Sequence, residues 1–95
     1  MSAAVRIGEA SIPALPRGVR LKFDRARERW VLLAPERVFV LDAIAREIVR
    51  RCDGEASVER IVDQLADAYA APREVVLADV TRLLQDFADK RVLTA

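Results

Sequence analysis

The sequence predicts an α+β domain, winged-helix-like in its order: a three-stranded antiparallel sheet followed by a three-helix bundle. Three observations predict it. Between Val19 and Leu41 apolar residues alternate with polar ones or run in short blocks separated by turn signals, the pattern of strands. From Ile44 onward the apolar spacing changes to threes and fours, the pattern of helices. At 95 residues, 53% hydrophobic and 33% charged, the chain has the composition of one ordered domain with a small core.

The elements follow in order. Residues 1–16 (MSAAVRIGEASIPALP), punctuated by Pro13 and Pro16, are too short to fold alone. They predict a flexible N-terminal arm, mobile or draped over the domain proper at 17–95. Val5, Ile7, Ile12 and Leu15 are its means of covering apolar surface on this molecule or on a second copy. Val19, Leu21 and Phe23 alternate with Arg20 and Lys22 as a half-buried strand. The charged turn DRARE (24–28) leads into Arg29-Trp30-Val31-Leu32-Leu33. Ala34-Pro35-Glu36 breaks that run, because proline cannot donate to a sheet ladder. Arg37-Val38-Phe39-Val40-Leu41 makes the third strand, and the simplest arrangement is a meander.

Ile44, Ala45, Ile48, Val49 and Cys52 read as a helix capped by Asp42 and stopped by Gly54. Ser57 caps a second helix with Val58, Ile61, Val62, Leu65, Ala66 and Tyr69 on its buried register. Pro72 opens a third. There Val76, Val80, Leu83 and Phe87 form the main apolar face, while Leu77, Leu84 and Ala88 widen it. Arg91-Val92-Leu93 reads as a short terminal extended segment.

Composition excludes many kinds of chemistry. With no histidine, Ser-His-Asp and Cys-His catalysis and His-based zinc sites are ruled out. With Cys52 as the only cysteine, so are intramolecular disulfides, CxxC redox pairs and Cys-ligated clusters. Gly8, Gly18 and Gly54 make neither a P-loop nor a dinucleotide fingerprint. The expectation is a chain that is not an enzyme and holds no cofactor or metal of its own. Net charge is +1, split into 11 Lys/Arg against 7 Asp/Glu over residues 1–53 and 5 against 8 over 54–95. Neither half has the strong basic excess of a nucleic-acid binder. No signal peptide is evident, and no apolar stretch approaches the ~18 residues of a membrane span. The expected location is the cytoplasm, without a membrane partner.

The second and third strands carry the most informative pattern. Trp30–Leu33 and Val38–Leu41 are apolar on both faces, whereas three helices cover one face of a small sheet. The arm, a second subunit or a partner must cover the other. In a meander the third strand also lies at an edge, where unpaired N–H and C=O groups accept an extended peptide as an added strand. The third helix would form the other wall of such a groove. A helix-turn-helix reading of residues 57–90 competes. Its recognition helix, however, carries Arg73, Arg82 and Lys90 against Glu74, Asp79, Asp86 and Asp89, the wrong sign for DNA. A structural homodimer, formed through the sheet or by exchange of the arm, is a further alternative. Cys52 reads as a buried small residue. The carboxylate pairs Asp63/Asp67, Glu55/Glu59 and Asp86/Asp89 read as solvated helix faces. Trp30 is most simply core, with an interface anchor as the alternative.

Taken in order, Pro16-x-Gly18-Val19-Arg20-Leu21, Trp30-Val31-Leu32-Leu33-Ala34-Pro35-Glu36, Leu41, Cys52-Asp53-Gly54, Ser57-Val58, Tyr69-x-Ala71 and Asp79-Val80 carry a resemblance. Over about residues 15–95 the sequence resembles the pyrroloquinoline quinone (PQQ) biosynthesis protein D family, PqqD. Arg91 is one departure, standing where the family pattern leads one to expect glycine before the closing Val-Leu. The resemblance implies a non-enzymatic recognition element for ribosomally synthesised modified peptides. Such a protein is a peptide chaperone that binds the precursor peptide (PqqA-like) and presents it to a radical-SAM enzyme (PqqE-like), which cross-links a glutamate and a tyrosine within it. The iron–sulfur cluster and S-adenosylmethionine would belong to that enzyme. It further implies that the peptide adds beside the third strand, at Arg37, Val38, Phe39, Val40 and Leu41. The facing helix would contribute Arg73, Val76, Leu77, Val80, Thr81 and Leu84. Arg37 and the other basic side chains of the first half would favour an acidic peptide through encounter rate.

Overall fold

The computed structural model describes residues 5–95. Strands β1 (Arg20–Asp24), β2 (Arg29–Ala34) and β3 (Arg37–Leu41) form one antiparallel sheet in the order β1-β2-β3. Helices α1 (Ala43–Val49), α2 (Val58–Tyr69) and α3 (Arg73–Asp89) follow. Leu21 pairs with Leu32 and Leu32 with Phe39, while Phe23 pairs with Trp30 and Trp30 with Leu41. Because side chains alternate along a strand, these six residues share one face. That face meets the helices: Leu32 and Leu41 join a core with Ile48, Val49, Ile61, Val62, Val80 and Leu84. The opposite face carries Arg20, Lys22, Arg29, Val31, Leu33, Val38 and Val40.

Local chemistry sets the turns. The Asp24 carboxylate accepts the N–H groups of Ala26 and Arg27 at 3.1 and 3.3 Å, closing the first hairpin. Pro35 and Glu36 alone join β2 to β3, with Glu36 at φ 62°. Proline followed by a left-handed residue matches a type II turn. Asp42 caps α1 by accepting from Ala45 N–H (2.7 Å), and Ser57 caps α2 by accepting from Arg60 N–H (3.2 Å).

Two expectations need correction. α1 ends at Val49, so Cys52 and Gly54 lie beyond it rather than inside and at its stop. Arg51 and Cys52 donate to the carbonyls of Ile48 and Val49, three residues back, so the last turn tightens and the helix closes early. Tyr69, expected on the buried register of α2, is 50% exposed. The apolar stripe runs one turn past the packed core before the chain reverses at Ala70, φ 50°. α3 ends where Arg91 adopts φ 63°. Arg91 N–H donates to Ala88 and Val92 N–H to Phe87, a Schellman closure. Glycine adopts this conformation without penalty, a physical reason to expect it at that position.

Residues 5–16 lie draped against the helical side; residues 1–4 lie outside the described residues. Ile7 and Pro13 are buried. Ile7 N–H donates to Gln85 Oε1 (2.9 Å), while Gln85 Nε2 donates to the Val5 carbonyl (2.6 Å). Ala14 exchanges backbone hydrogen bonds with Thr94, and the N–H groups of Gly54 and Val58 donate to Pro13 and Ser11. None of these contacts reaches the outer face of the sheet, so the segment does not cover the second apolar face.

Gly54 sits at φ 80°, and a methyl group there would lie 3.4 Å from the Ala14 side chain. Gly54→Ala is therefore expected to destabilise the domain by about 1–2 kcal/mol. Urea unfolding checks this through a lower midpoint at unchanged slope.

Candidate functional site

β1 and β3 are the two edges of the sheet, and β3 is the one that runs beside α1 and α3. A two-residue loop makes its flanking residues, Ala34 and Arg37, a hydrogen-bonded pair, and bonded and non-bonded pairs then alternate. Arg37, Phe39 and Leu41 thus bond to β2, while the N–H and C=O groups of Val38 and Val40 point away from the sheet. The side chains of Val38 and Val40 are 61% and 60% exposed on the outer face. Unpaired backbone beside apolar side chains, in five consecutive residues, is a template for one more strand.

On the inner side this edge meets α3. Phe39 packs edge-on against Phe87, with ring centroids 5.6 Å apart. The Arg37 guanidinium and the Lys90 ammonium lie 5.6 and 5.7 Å from the Phe39 ring centre, so cations flank this part of the strand. Beyond Leu41, an open groove of about 640 Å³ runs between α1 and α3. Ile44, Ala45, Ile48 and Leu83 give it an apolar floor; Asp42, Asp79, Arg82 and Asp86 form its rim. Arg82 is held by Asp79 (2.6 Å) and Lys90 by Asp86 (2.8 Å). The floor is thus apolar, and of the charges along it Arg37 beside Phe39 and Asp42 where α1 begins make no ion pair among the described residues.

The residues expected to bind peptide are distributed as follows. Arg37, Val38, Phe39 and Val40 line the edge, while Leu41 is buried in the core. Val80 and Leu84 are core residues, and Val76 packs half-buried against them. Leu77 and Thr81 line a depression with Arg6 and Ile7, on the side where the N-terminal segment lies. Arg73 donates to Asp63 (2.7 Å) and Glu9 (2.8 Å), tying that segment to α2 and α3. The side of α3 beside β3 instead carries Leu83, Asp86, Phe87 and Lys90, joined by Ile44 of α1. Their spacing of threes and fours was present in the sequence. The breadth of the apolar arc of α3 hid which side meets the strand.

Neighbouring groups support the frame. Glu47 accepts hydrogen bonds from Arg51 and Arg50, which hold its carboxyl below the usual range and fasten the end of α1. Arg46 lies 4.6 Å from the Trp30 ring centre, covering the inner face of the sheet. Burial, with the neighbouring Asp53 charge, pushes the Cys52 thiol up to about 12. Because the thiolate is the nucleophile, the native chain is expected to resist Ellman's reagent at pH 8 and to react stoichiometrically once unfolded. Rapid native-state labelling would contradict the burial.

Comparison with known proteins bears on the whole chain. The family model of coenzyme PQQ synthesis protein D (PqqD) matches residues 29–93. A PqqA binding protein of Bradyrhizobium diazoefficiens is 56% identical over 90 residues, covering 95% of this chain and 87% of that one. The solution structure of the PqqD truncation of Methylobacterium extorquens PqqCD, described as a functional, stand-alone recognition element for ribosomally synthesised, post-translationally modified peptides, superposes with a TM-score of 0.81. It is 42% identical, and the match covers 94% of this chain and 95% of that one. The crystal structure of PqqD from Xanthomonas campestris gives 0.61 at 45% identity, covering 94% and 99%. Matched in sequence along nearly all its length and in the order of its sheet and helices, this chain belongs to the PqqD family.

Proposed function

We infer that this chain binds the precursor peptide of PQQ biosynthesis, a PqqA-like peptide, as a fourth strand on β3. The free backbone of Val38 and Val40, beside an apolar groove on α1 and α3, carries this reading; the relatives' name of PqqA binding protein supports it. The added strand draws affinity from those outward N–H and C=O groups. Its alternate side chains enter the inner groove, against Phe39, Leu83 and Ile44, or lie outside beside Val38 and Val40. Arg37 favours an acidic residue at the Phe39 end, where Lys90 is paired with Asp86, and Asp42 a basic or polar one where α1 begins. Arg73, Val76, Leu77, Val80, Thr81 and Leu84 then support the groove from within α3 and through the N-terminal segment.

In this reading the chain performs no catalysis itself. It holds the peptide for a radical-SAM, PqqE-like enzyme that makes the Glu–Tyr cross-link and carries its own cluster and S-adenosylmethionine. One cysteine and no histidine leave this chain without the ligands for such a cluster. A ribosomally made substrate places the work in the cytoplasm. No described helix is long and apolar enough to cross a membrane.

Isothermal titration with the synthetic precursor peptide tests the reading. Saturable one-to-one binding is expected. An absence of binding at large peptide excess would contradict it.

A further inference from the structure

The outer face of the sheet is divided lengthwise. The register sets Arg20, Leu33 and Val38 in one row, and Lys22, Val31 and Val40 in the next. Cations therefore line β1, with Arg29 on β2 beside them; Val31 is buried between the strands, and half-buried Leu33 with the exposed Val38 and Val40 makes an apolar stripe along β3. Arg20, Lys22 and Arg29 make no ion pair among the described residues. The one carboxylate on this face, Asp24, is already engaged by Arg27 at 3.4 Å. Residues 17–37 carry seven Lys/Arg against three Asp/Glu. Beside the stripes, a depression of about 660 Å³ lies among Lys22, Phe23, Arg25, Arg27, Leu33 and Val38.

We propose that this outer face is the docking surface for the enzyme that acts on the bound peptide, which would present an acidic stripe beside an apolar one. The proposal rests on the reading of β3 as the peptide-binding edge. A strand added there places every second side chain on the outer face, next to Val38 and Val40. It thereby widens the apolar stripe, and the platform is complete only when peptide is bound. The enzyme then binds the loaded chain more tightly than the empty one, and the peptide lies against its surface without leaving the groove. Charge argues against a second copy as occupant: a symmetric pairing of two such faces leaves both cationic stripes without a free carboxylate. The matching anions must come from a different surface.

The test measures two affinities on the full chain: for the precursor peptide, and, with peptide saturating, for the cognate radical-SAM enzyme. Arg20→Glu/Lys22→Glu changes only exposed side chains of β1, the edge strand opposite β3. The expected result is unchanged peptide affinity with enzyme affinity lowered roughly tenfold or more, mostly through the association rate. Arg20→Gln/Lys22→Gln should show a smaller loss and a weaker salt dependence. It carries the test alone if the reversed variant unfolds by amide NMR. Unchanged enzyme affinity with peptide binding intact would overturn the docking surface while leaving the peptide site standing. Failure of the wild-type chain to bind peptide would overturn the reading of the site, and the composite platform with it. Self-association of the loaded chain that these substitutions abolish would assign the face to a second copy and overturn the enzyme as its occupant.

Discussion

Val40→Pro is expected to weaken peptide binding by roughly ten- to a hundredfold while leaving the domain folded. The Val40 N–H points away from β2, so its loss breaks no bond of the sheet. It does remove one donor to the added strand, a loss of about 0.5–1.5 kcal/mol. The proline ring also occupies the space into which that strand's carbonyl must come. Together these exceed the ~1.4 kcal/mol that corresponds to a tenfold change in affinity. Edge strands tolerate proline where the N–H faces outward. Phe39→Pro provides the contrast, because the Phe39 N–H bonds to Leu32 in the ladder; there the sheet itself is expected to weaken. Titration calorimetry with the precursor peptide, alongside urea unfolding, separates the two. Equal peptide affinity for Val40→Pro and wild type would mean that the backbone of β3 is not the binding edge.

Phe87→Ala is expected to cost about 3–5 kcal/mol of stability. Phe87 is buried and backs the Phe39 ring edge-on at 5.6 Å. It also holds the closing turn of α3, where its carbonyl accepts from Val92 N–H. Against a total of about 5 kcal/mol, the low end for a domain of this size, the loss leaves a substantial unfolded fraction at 37 °C. Phe87→Leu keeps most of the volume and should cost less than half as much. A change below about 1 kcal/mol for the alanine variant, read by urea unfolding, would show that the junction of β3 and α3 is not packed as described. Because Phe39 loses its support, peptide affinity should fall as well, measured at a temperature where the variant remains folded.

The sheet was legible in the sequence because each of its determinants leaves a local mark. Val19, Leu21 and Phe23 alternate, the turns contain Asp24 or Pro35, and the doubly apolar blocks identify β2 and β3. The caps at Asp42 and Ser57 were legible for the same reason, each lying just ahead of an apolar repeat. The edge role of β3 followed from element order alone. The course of residues 5–16 was not legible, because backbone bonds to Thr94, Gly54 and Val58, which no side-chain pattern records, hold that segment. Gln85, whose amide grips Val5 and Ile7, looks like any solvated glutamine in a helix. The facing side of α3 was ambiguous because Leu77, Val80, Leu83, Leu84 and Phe87 span more than one face of the helix. Only the contact of Phe39 with Phe87 selects among them. Tyr69 continued a buried repeat past the point where anything remained to bury it.

Addition of the peptide to the sheet at β3 is read most directly from the backbone amides. A ¹⁵N-edited NMR titration of the full chain with the precursor peptide tests it residue by residue. The amides of residues 37–41 are expected to shift most, with those of α3 around Leu83, Asp86 and Phe87, and the Val38 and Val40 amides to become protected from exchange with solvent. Shifts concentrated on residues 17–29, with β3 unmoved, would contradict it.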